Sequence, residues 1–259
     1  MPRKVFSSQA YRHKVVLVSG GCSGIGRALA LRFARAGARL AILDLDQAAL
    51  DSLVQHLRDH LGGEALGLRC DVADADAVER AVALAVERFG GIDVLVNNAG
   101  IGGDKLVTTM PLDFWQRVIE TNLTSQFICA KAVLPSMVER KFGRIVNLSS
   151  RAWLGNRGQA SYSASKGGVV SFTRSLALEF ARSGITANAI APGIVETPLF
   201  ATLAPQTQDD LKRTVPMQRI GQVEDIANAV CFFAAPASGY VTGQVLYVCG
   251  GRSLSSASV

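Results

Sequence analysis

No stretch of the chain approaches the ~20 uninterrupted apolar residues that a bilayer-spanning helix needs. The opening MPRKVFSSQAYRH has no apolar core, so it is not expected to act as a signal peptide. Lysine and arginine form no block longer than three residues. A formal charge of +6 without such a block leaves no nucleic-acid footprint and supports at most a weak preference for anionic substrates. Cysteine is sparse and scattered, at Cys22, Cys70, Cys129, Cys231 and Cys249, with no C-x-x-C pair. An odd, dispersed set reads as reduced thiols of a cytoplasmic protein, and it excludes a disulfide framework or a metal site. No linker rich in Pro, Gly or Ser divides the chain, and no repeat is visible. What is present is apolar substance: 49% of residues are hydrophobic and 19% charged, which suits a large core covered on both faces by helices.

Short β-branched runs alternate with helical patterns. The strand candidates are 15–19, 39–43, 65–70, 92–96, 144–149, 185–190 and 244–248; the helical patterns are 25–36, 47–60, 75–89, 112–140, 160–182 and 222–234. Strand–helix alternation throughout predicts an α/β fold with a doubly wound parallel sheet and right-handed crossovers. Two stretches fit this pattern poorly. Residues 1–13 read as an N-terminal extension, and 198–216, between Pro198 and Pro216, read as a long insert after a strand end, where lids are often found.

The first strand runs into SGGCSGIG, in which Gly20, Gly24 and Gly26 surround Ser23 and Ile25. Glycines let the chain turn sharply and approach a pyrophosphate, and the helix start then offers free N–H groups and partial positive charge. The spacing is G-x-x-x-G-x-G rather than the more familiar G-x-G-x-x-G. At the end of the second strand Asp44 can accept hydrogen bonds from both hydroxyls of an adenosine ribose while repelling a 2′-phosphate. Leu45 beside it, and Cys22 and Ser23 in the turn, supply no cation, so NAD is favoured over NADP. Asp71 and the Val72 amide, after the third strand, can meet an adenine edge. Asn98, Ala99 and Gly100 end the fourth strand where a cofactor would pass. Pro192, Gly193, Val195 and Thr197 follow a later strand, where main-chain groups could fix a nicotinamide carboxamide.

The run YSASK places Tyr162 and Lys166 one turn apart on one helix face. A free phenol titrates near ~10, too high for acid–base work at neutral pH, and a nearby ammonium favours phenolate. Upstream, a strand ends in Ser149 and Ser150, either of which can donate to a substrate carbonyl. Asn122 interrupts a long helical pattern in which asparagine is intrinsically poor, so its polar groups are expected to be used, for example to hold a water.

In order and spacing, SGGCSGIG, NNAG, Asn122, the serine pair, YSASK and PGIVET resemble the short-chain dehydrogenase/reductase family, over about residues 13–251. The resemblance implies one NAD(P)-binding Rossmann-like domain spanning 1–259, with a seven-stranded sheet of order 3-2-1-4-5-6-7. It also implies a homotetramer or dimer, using the helices at 112–140 and 160–182 for one interface and the C-terminal strand for another. In this scheme Tyr162 is the general acid–base, Lys166 lowers its pKa and binds the nicotinamide ribose, and Asn122 supports a water in a proton relay. The two rulers for the catalytic serine disagree. Strand register selects Ser150, while the family's usual spacing back from the tyrosine selects Ser149. Because loops absorb deletions and strands do not, Ser150 is chosen. Two departures from the family pattern stand out: Ser19 replaces the usual threonine at the glycine turn, and Cys249 replaces the aspartate before the terminal Gly-Gly.

The expected activity is hydride transfer between NAD(H) and a secondary alcohol or ketone. One alternative is a 3-oxoacyl thioester reductase, and another, of a different class, is a non-catalytic NAD-binding scaffold. The expected partner is a small-molecule substrate, with neither nucleic acid nor membrane. Its pocket is expected at Trp153, Leu154, the 101–106 loop and the lid, with Arg151 and Arg157 nearby.

Overall fold

The computed structural model describes residues 10–254; residues 1–9 of the expected N-terminal extension, and residues 255–259, lie outside the described residues. Seven strands, β1 (Val15–Ser19), β2 (Arg39–Asp44), β3 (Ala65–Arg69), β4 (Val94–Asn97), β5 (Gly143–Leu148), β6 (Ile185–Pro192) and β7 (Val245–Val248), form one sheet of order β3-β2-β1-β4-β5-β6-β7. Every pairing is parallel. β1, β4, β5 and β6 are buried along their whole length, which is why their sequences are mostly apolar without polar–apolar alternation, the buried exceptions being Asn97, Arg144, Asn147, Thr186, Asn188 and Ser19.

Helices α1 (Gly24–Arg35), α2 (Gln47–Leu61), α3 (Ala75–Phe89), α4 (Leu112–Ile119), α5 (Ser125–Glu139), α6 (Ala160–Phe180), α7 (Pro198–Ala201), α8 (Pro205–Arg213) and α9 (Val223–Ala234) supply the rest. Leu29 and Phe33 of α1 and Ile226 and Val230 of α9 pack on one sheet face. Val78 of α3, Val133 of α5 and Leu176 of α6 pack on the other. Each such fully buried side chain stabilises the fold by roughly 1.5–3 kcal/mol. Local signals set the helix ends. Asp46 and Asp74 cap α2 and α3 by accepting from Ala49 N and Ala77 N, each at 3.0 Å, and Gly62 and Gly90 close the same helices in left-handed conformation.

The chain leaves β1 towards β2 and β3 on one side and returns to β4 on the other. That reversal opens a crevice at the carboxyl ends of β1 and β4, the usual ligand position in such sheets.

Two expectations are corrected. The helix foreseen over 112–140 is interrupted by a π-helical segment, Glu120–Thr124, centred on Asn122. The 198–216 insert is not an open loop but carries α7 and α8. In residues 10–13, the described part of the N-terminal extension, Tyr11 is buried, packs edge-on against Phe33 and donates its hydroxyl to the Cys231 carbonyl. Among the described residues no helix is long and apolar enough to cross a membrane.

Candidate active site

The site begins where β1 ends. The Ser19 hydroxyl, buried, accepts from the backbone N–H of Asn98 (3.0 Å) and of Ala99 (3.1 Å). Asn98 in turn donates through Nδ2 to the Ser19 and Gly20 carbonyls (3.1 and 2.8 Å). These bonds fasten the glycine turn to the end of β4. Gly20 has φ +62°, and a Cβ there would lie 2.9 Å from the Ala99 Cα. At Gly26 a Cβ would lie 1.9 Å from the Gly20 carbonyl oxygen, so only glycine lets α1 start this close to the turn. Ser23 caps α1 in extended conformation without a side-chain hydrogen bond, leaving the first N–H groups available to an anion.

Asp44 stands half-buried at the end of β2. Its Oδ2 accepts from Cys22 N (2.9 Å) and its Oδ1 from Leu45 N (2.8 Å), so the carboxylate is oriented by the turn and its own strand end. Burial, then the Asp44 charge, pushes the Cys22 thiol up to about 12. Asp71 is exposed, with Oδ1 accepting from Ala73 N (2.9 Å), and Val72 is buried.

The second half of the site lies where β5 meets α6. Ser149 is buried and donates to the Lys166 carbonyl (2.8 Å). Ser150, half-buried, directs its hydroxyl to Tyr162 and accepts from Ala152 N (3.1 Å). The Lys166 ammonium is buried, donates to the Leu148 carbonyl (2.8 Å) and lies 5.6 Å from the centre of the Tyr162 ring. Burial pushes this ammonium down to about 8. Burial also pushes the Tyr162 phenol up, against the opposing Ser150 hydrogen bond. The sequence led to an expectation of a lowered phenol pKa; in the protein alone, without a bound cofactor, burial dominates and raises it.

Asn122 is wholly buried. Its Oδ1 accepts from Ile101 N (2.7 Å), and its Nδ2 donates to Ile101 O (2.9 Å) and Ser165 Oγ (3.2 Å). It therefore clamps the loop after β4 to α6. The side chain is used, as expected of an asparagine in a helix, but for this clamp. Gly100 keeps the floor open: a Cβ there would lie 3.1 Å from Asn122 Oδ1 and 3.4 Å from Lys166 Nζ.

A cavity of about 860 Å³ joins the two halves. Ile25, Asn98 and Gly100 line it at the turn, Ser149, Ser150, Tyr162 and Lys166 in the middle, and Pro192, Gly193, Val195 and Thr197 along the β6 end. Gly20, Ser23, Gly24, Gly26, Asp44, Leu45, Asp71, Val72 and Ala99 stand outside that wall, on the strand ends and turn beside it. The cavity at Tyr162, the open helix start and the oriented Asp44 beside it fit a dinucleotide laid from the β2 end across to Tyr162.

Phe200, Leu203 and Leu211 of the insert form an apolar wall, with Asp104 and Arg151 on other parts of the lining. Trp153 and Leu154, expected in the pocket, are not part of the lining: Trp153 stacks on Tyr247 (6.4 Å) and Leu154 is exposed. Arg157 is exposed and off the lining.

Sequence reading missed several supports. Asn97 Nδ2 donates to Asn147 Oδ1, and Asn147 Nδ2 to Thr173 Oγ1, each at 2.9 Å, which ties α6 to β4 and β5 through the core. The available signal was asparagine within buried strands, where it is depleted unless partnered. Gln159 bonds Asp104 (2.8 Å), and Arg252 reaches the cavity from the C-terminal turn, a side chain for which the linear sequence held no cue.

Residues 20–253 match a protein family described as enoyl-(acyl carrier protein) reductase. A hydroxy(phenyl)methylsuccinyl-CoA dehydrogenase subunit of Thauera aromatica is 44% identical over 243 residues, covering 94% of this chain and 98% of that protein. A 3-oxoacyl-(acyl-carrier-protein) reductase of Vibrio cholerae is 41% identical, covering 92% and 96%. Among solved structures, a putative gluconate dehydrogenase of Agrobacterium tumefaciens superposes with a TM-score of 0.91 at 36% identity, covering 95% of this chain and 98% of that one. A variant actinorhodin polyketide ketoreductase, solved with NADPH, gives a TM-score of 0.90 at 39% identity, covering 95% and 99%.

Proposed function

The chain belongs to the short-chain dehydrogenase/reductase family and is an oxidoreductase, and from that premise we propose that it moves a hydride between NAD(H) and a secondary alcohol or ketone, with Tyr162, Ser150, Lys166 and Asn122 as its working residues. The observation that carries this reading is the single cavity at which Ser150, Tyr162 and the buried Lys166 ammonium stand together, beside the glycine turn.

Bound in that cavity, the nicotinamide ring supplies or accepts the hydride. The chain's own residues handle the oxygen. Ser150 donates to the substrate oxygen and stabilises charge growing there. In reduction Tyr162 gives that oxygen its phenolic proton, and in oxidation it takes the alcohol proton. Lys166 holds positive charge beside the ring and meets the nicotinamide ribose. Asn122 fixes the Ile101 loop through its side chain and, through its backbone in the π-helical segment, supports a water in the proton path. Main-chain groups from Pro192 to Thr197 hold the carboxamide, and Asp71 with Val72 meets the adenine.

NAD is the proposed cofactor because the oriented Asp44 carboxylate stands where a 2′-phosphate would sit, with no cation at Leu45, Cys22 or Ser23. Residues 198–216 act as the lid. The protein works in the cytoplasm as a homotetramer or dimer. The relatives named as 3-oxoacyl reductases favour a second reading, reduction of a 3-oxoacyl thioester. A non-catalytic scaffold is disfavoured because the tyrosine, lysine and serine all stand at one cavity.

The test is a panel of ketones and secondary alcohols followed by nicotinamide absorbance with both cofactors. Tyr162→Phe is expected to bind NADH normally and to lose turnover by about a thousandfold or more, the loss expected when a positioned acid–base is removed. Turnover that survives this substitution discards the assignment.

A further inference from the structure

The cavity's charged lining is one-sided: Arg151, Lys166 and Arg252 face it against a single carboxylate, Asp104. Asp104 is already held by Gln159 Nε2 at 2.8 Å. Lys166 is committed to the Leu148 carbonyl. Arg151 is different. It follows the proposed catalytic serine directly, opens the short 3-10 turn Arg151–Leu154 and is half-buried. Its guanidinium enters none of the ion pairs or hydrogen bonds among the described residues, and its buried Nε has no partner. A buried guanidinium N–H without an acceptor costs stability and is retained where a ligand supplies the acceptor.

Arg252 comes to the same cavity from the far end of the chain. The left-handed pair Gly250 (φ +60°) and Gly251 (φ +89°) turns the backbone after β7 and delivers it. Arg151 and Arg252 thus line one cavity, and burial, and next the Arg151 charge, depress the Arg252 guanidinium. The insert adds Phe200, Leu203 and Leu211 to the same lining, so the cavity also has an apolar part.

Resting on the hydride-transfer reading above, we propose that Arg151 and Arg252 form an anion clamp for a free carboxylate carried by the substrate near its reacting carbonyl or alcohol carbon, with an apolar body lying under the lid. Arginine is suited to this because its planar fork pairs with a carboxylate bidentately. Arg151's place beside Ser150 keeps the anion close to the reacting centre. The substrate class is therefore an oxo acid or hydroxy acid with a hydrophobic substituent, not a neutral ketone.

The test compares 3-oxo-3-phenylpropanoate with its ethyl ester, using the full-length protein and NADH. Wild type is expected to prefer the acid in kcat/KM by about tenfold or more, the size of one charged hydrogen-bonded contact. Arg151→Gln and Arg252→Gln are each expected to collapse that acid-to-ester ratio by about tenfold, chiefly through KM for the acid, and Arg151→Lys to recover part of it. Calorimetric titration of the acid into NADH-loaded Tyr162→Phe protein reads the clamp without turnover. Arginine-dependent binding there with no turnover in wild type would sink the hydride-transfer reading but leave the clamp standing. Turnover without acid preference, a ratio that the arginine variants leave unmoved, or absence of both turnover and binding of the acid overturns the clamp. A change in oligomer size by light scattering, with equal losses on acid and ester, would assign the arginines to a subunit contact and overturns it too.

Discussion

Ser149 and Ser150 are the same hydroxyl at neighbouring positions, and their surroundings divide them. Ser149 is buried and its proton is committed to the Lys166 carbonyl, whereas Ser150 is directed at Tyr162. Ser150→Ala is therefore expected to lower kcat by about a hundredfold or more, as for removal of one oxyanion donor. Ser149→Ala is expected instead to cost about 1 kcal/mol of unfolding free energy in denaturant titration, by removing one buried hydrogen bond to the Lys166 carbonyl, with a much smaller effect on kcat. The reverse pattern would move the catalytic role to Ser149. Lys166 gives a prediction in pH. Its folded pKa of about 8 lies below its unfolded value near ~10.4, so in this window the unfolded chain binds more protons and the lysine's contribution to stability rises with pH. The stability advantage of Lys166→Met over wild type should shrink by about 1 kcal/mol between pH 8 and 9 in protein without cofactor. The buried thiols Cys70, Cys129 and Cys231 titrate in both proteins and cancel in that difference. A gap that stays constant across this range means the ammonium is not desolvated in solution.

At the scale of elements, the glycine turn and the break in the α4–α5 run are packing solutions as much as binding ones. Gly26 is fixed by the Gly20 carbonyl at 1.9 Å from where its Cβ would stand, which no backbone can accept without moving. Gly26→Ala is expected to push α1 off the turn, weakening NADH binding by about tenfold or more in fluorescence titration and destabilising the fold by a few kcal/mol. Unchanged NADH affinity in a folded Gly26→Ala protein would show that the turn does not shape the cofactor site. The π-helical segment has a comparable cause. Asn122 must reach both polar groups of Ile101 and also Ser165, and an extra residue in the turn, as π segments provide, gives it that reach at the cost of the regular ladder.

For the whole molecule, cofactor binding and global stability are linked, because the cavity draws on strand ends that are distant in sequence. A ligand held only by the folded state stabilises it by about 2.7 kcal/mol at a hundred times its Kd, which raises the melting temperature by several degrees in a chain of this size. NADH is expected to raise the midpoint more than NADPH at equal concentration, and Asp44→Ala to narrow that gap. A larger shift with NADPH in the wild type would reverse the cofactor proposal.

The sequence by itself determined the sheet and its winding. Strands buried on both faces are mostly apolar and do not alternate, and helices between them carry one apolar stripe, so the period of hydrophobicity wrote the element order, and the motif set pointed to a Rossmann-like sheet of this strand order. It also set the one-turn spacing of Tyr162 and Lys166, because that spacing is a property of a single helix. Tertiary structure alone decided what depends on contacts between distant segments. Which serine hydroxyl is free was set by the Lys166 carbonyl on another element. Arg252 reached the cavity through a turn after the last strand, while Trp153 turned away onto Tyr247. The direction in which Tyr162 and Lys166 are shifted was decided by burial, and burial is a sum over the packed molecule that no local spacing contains.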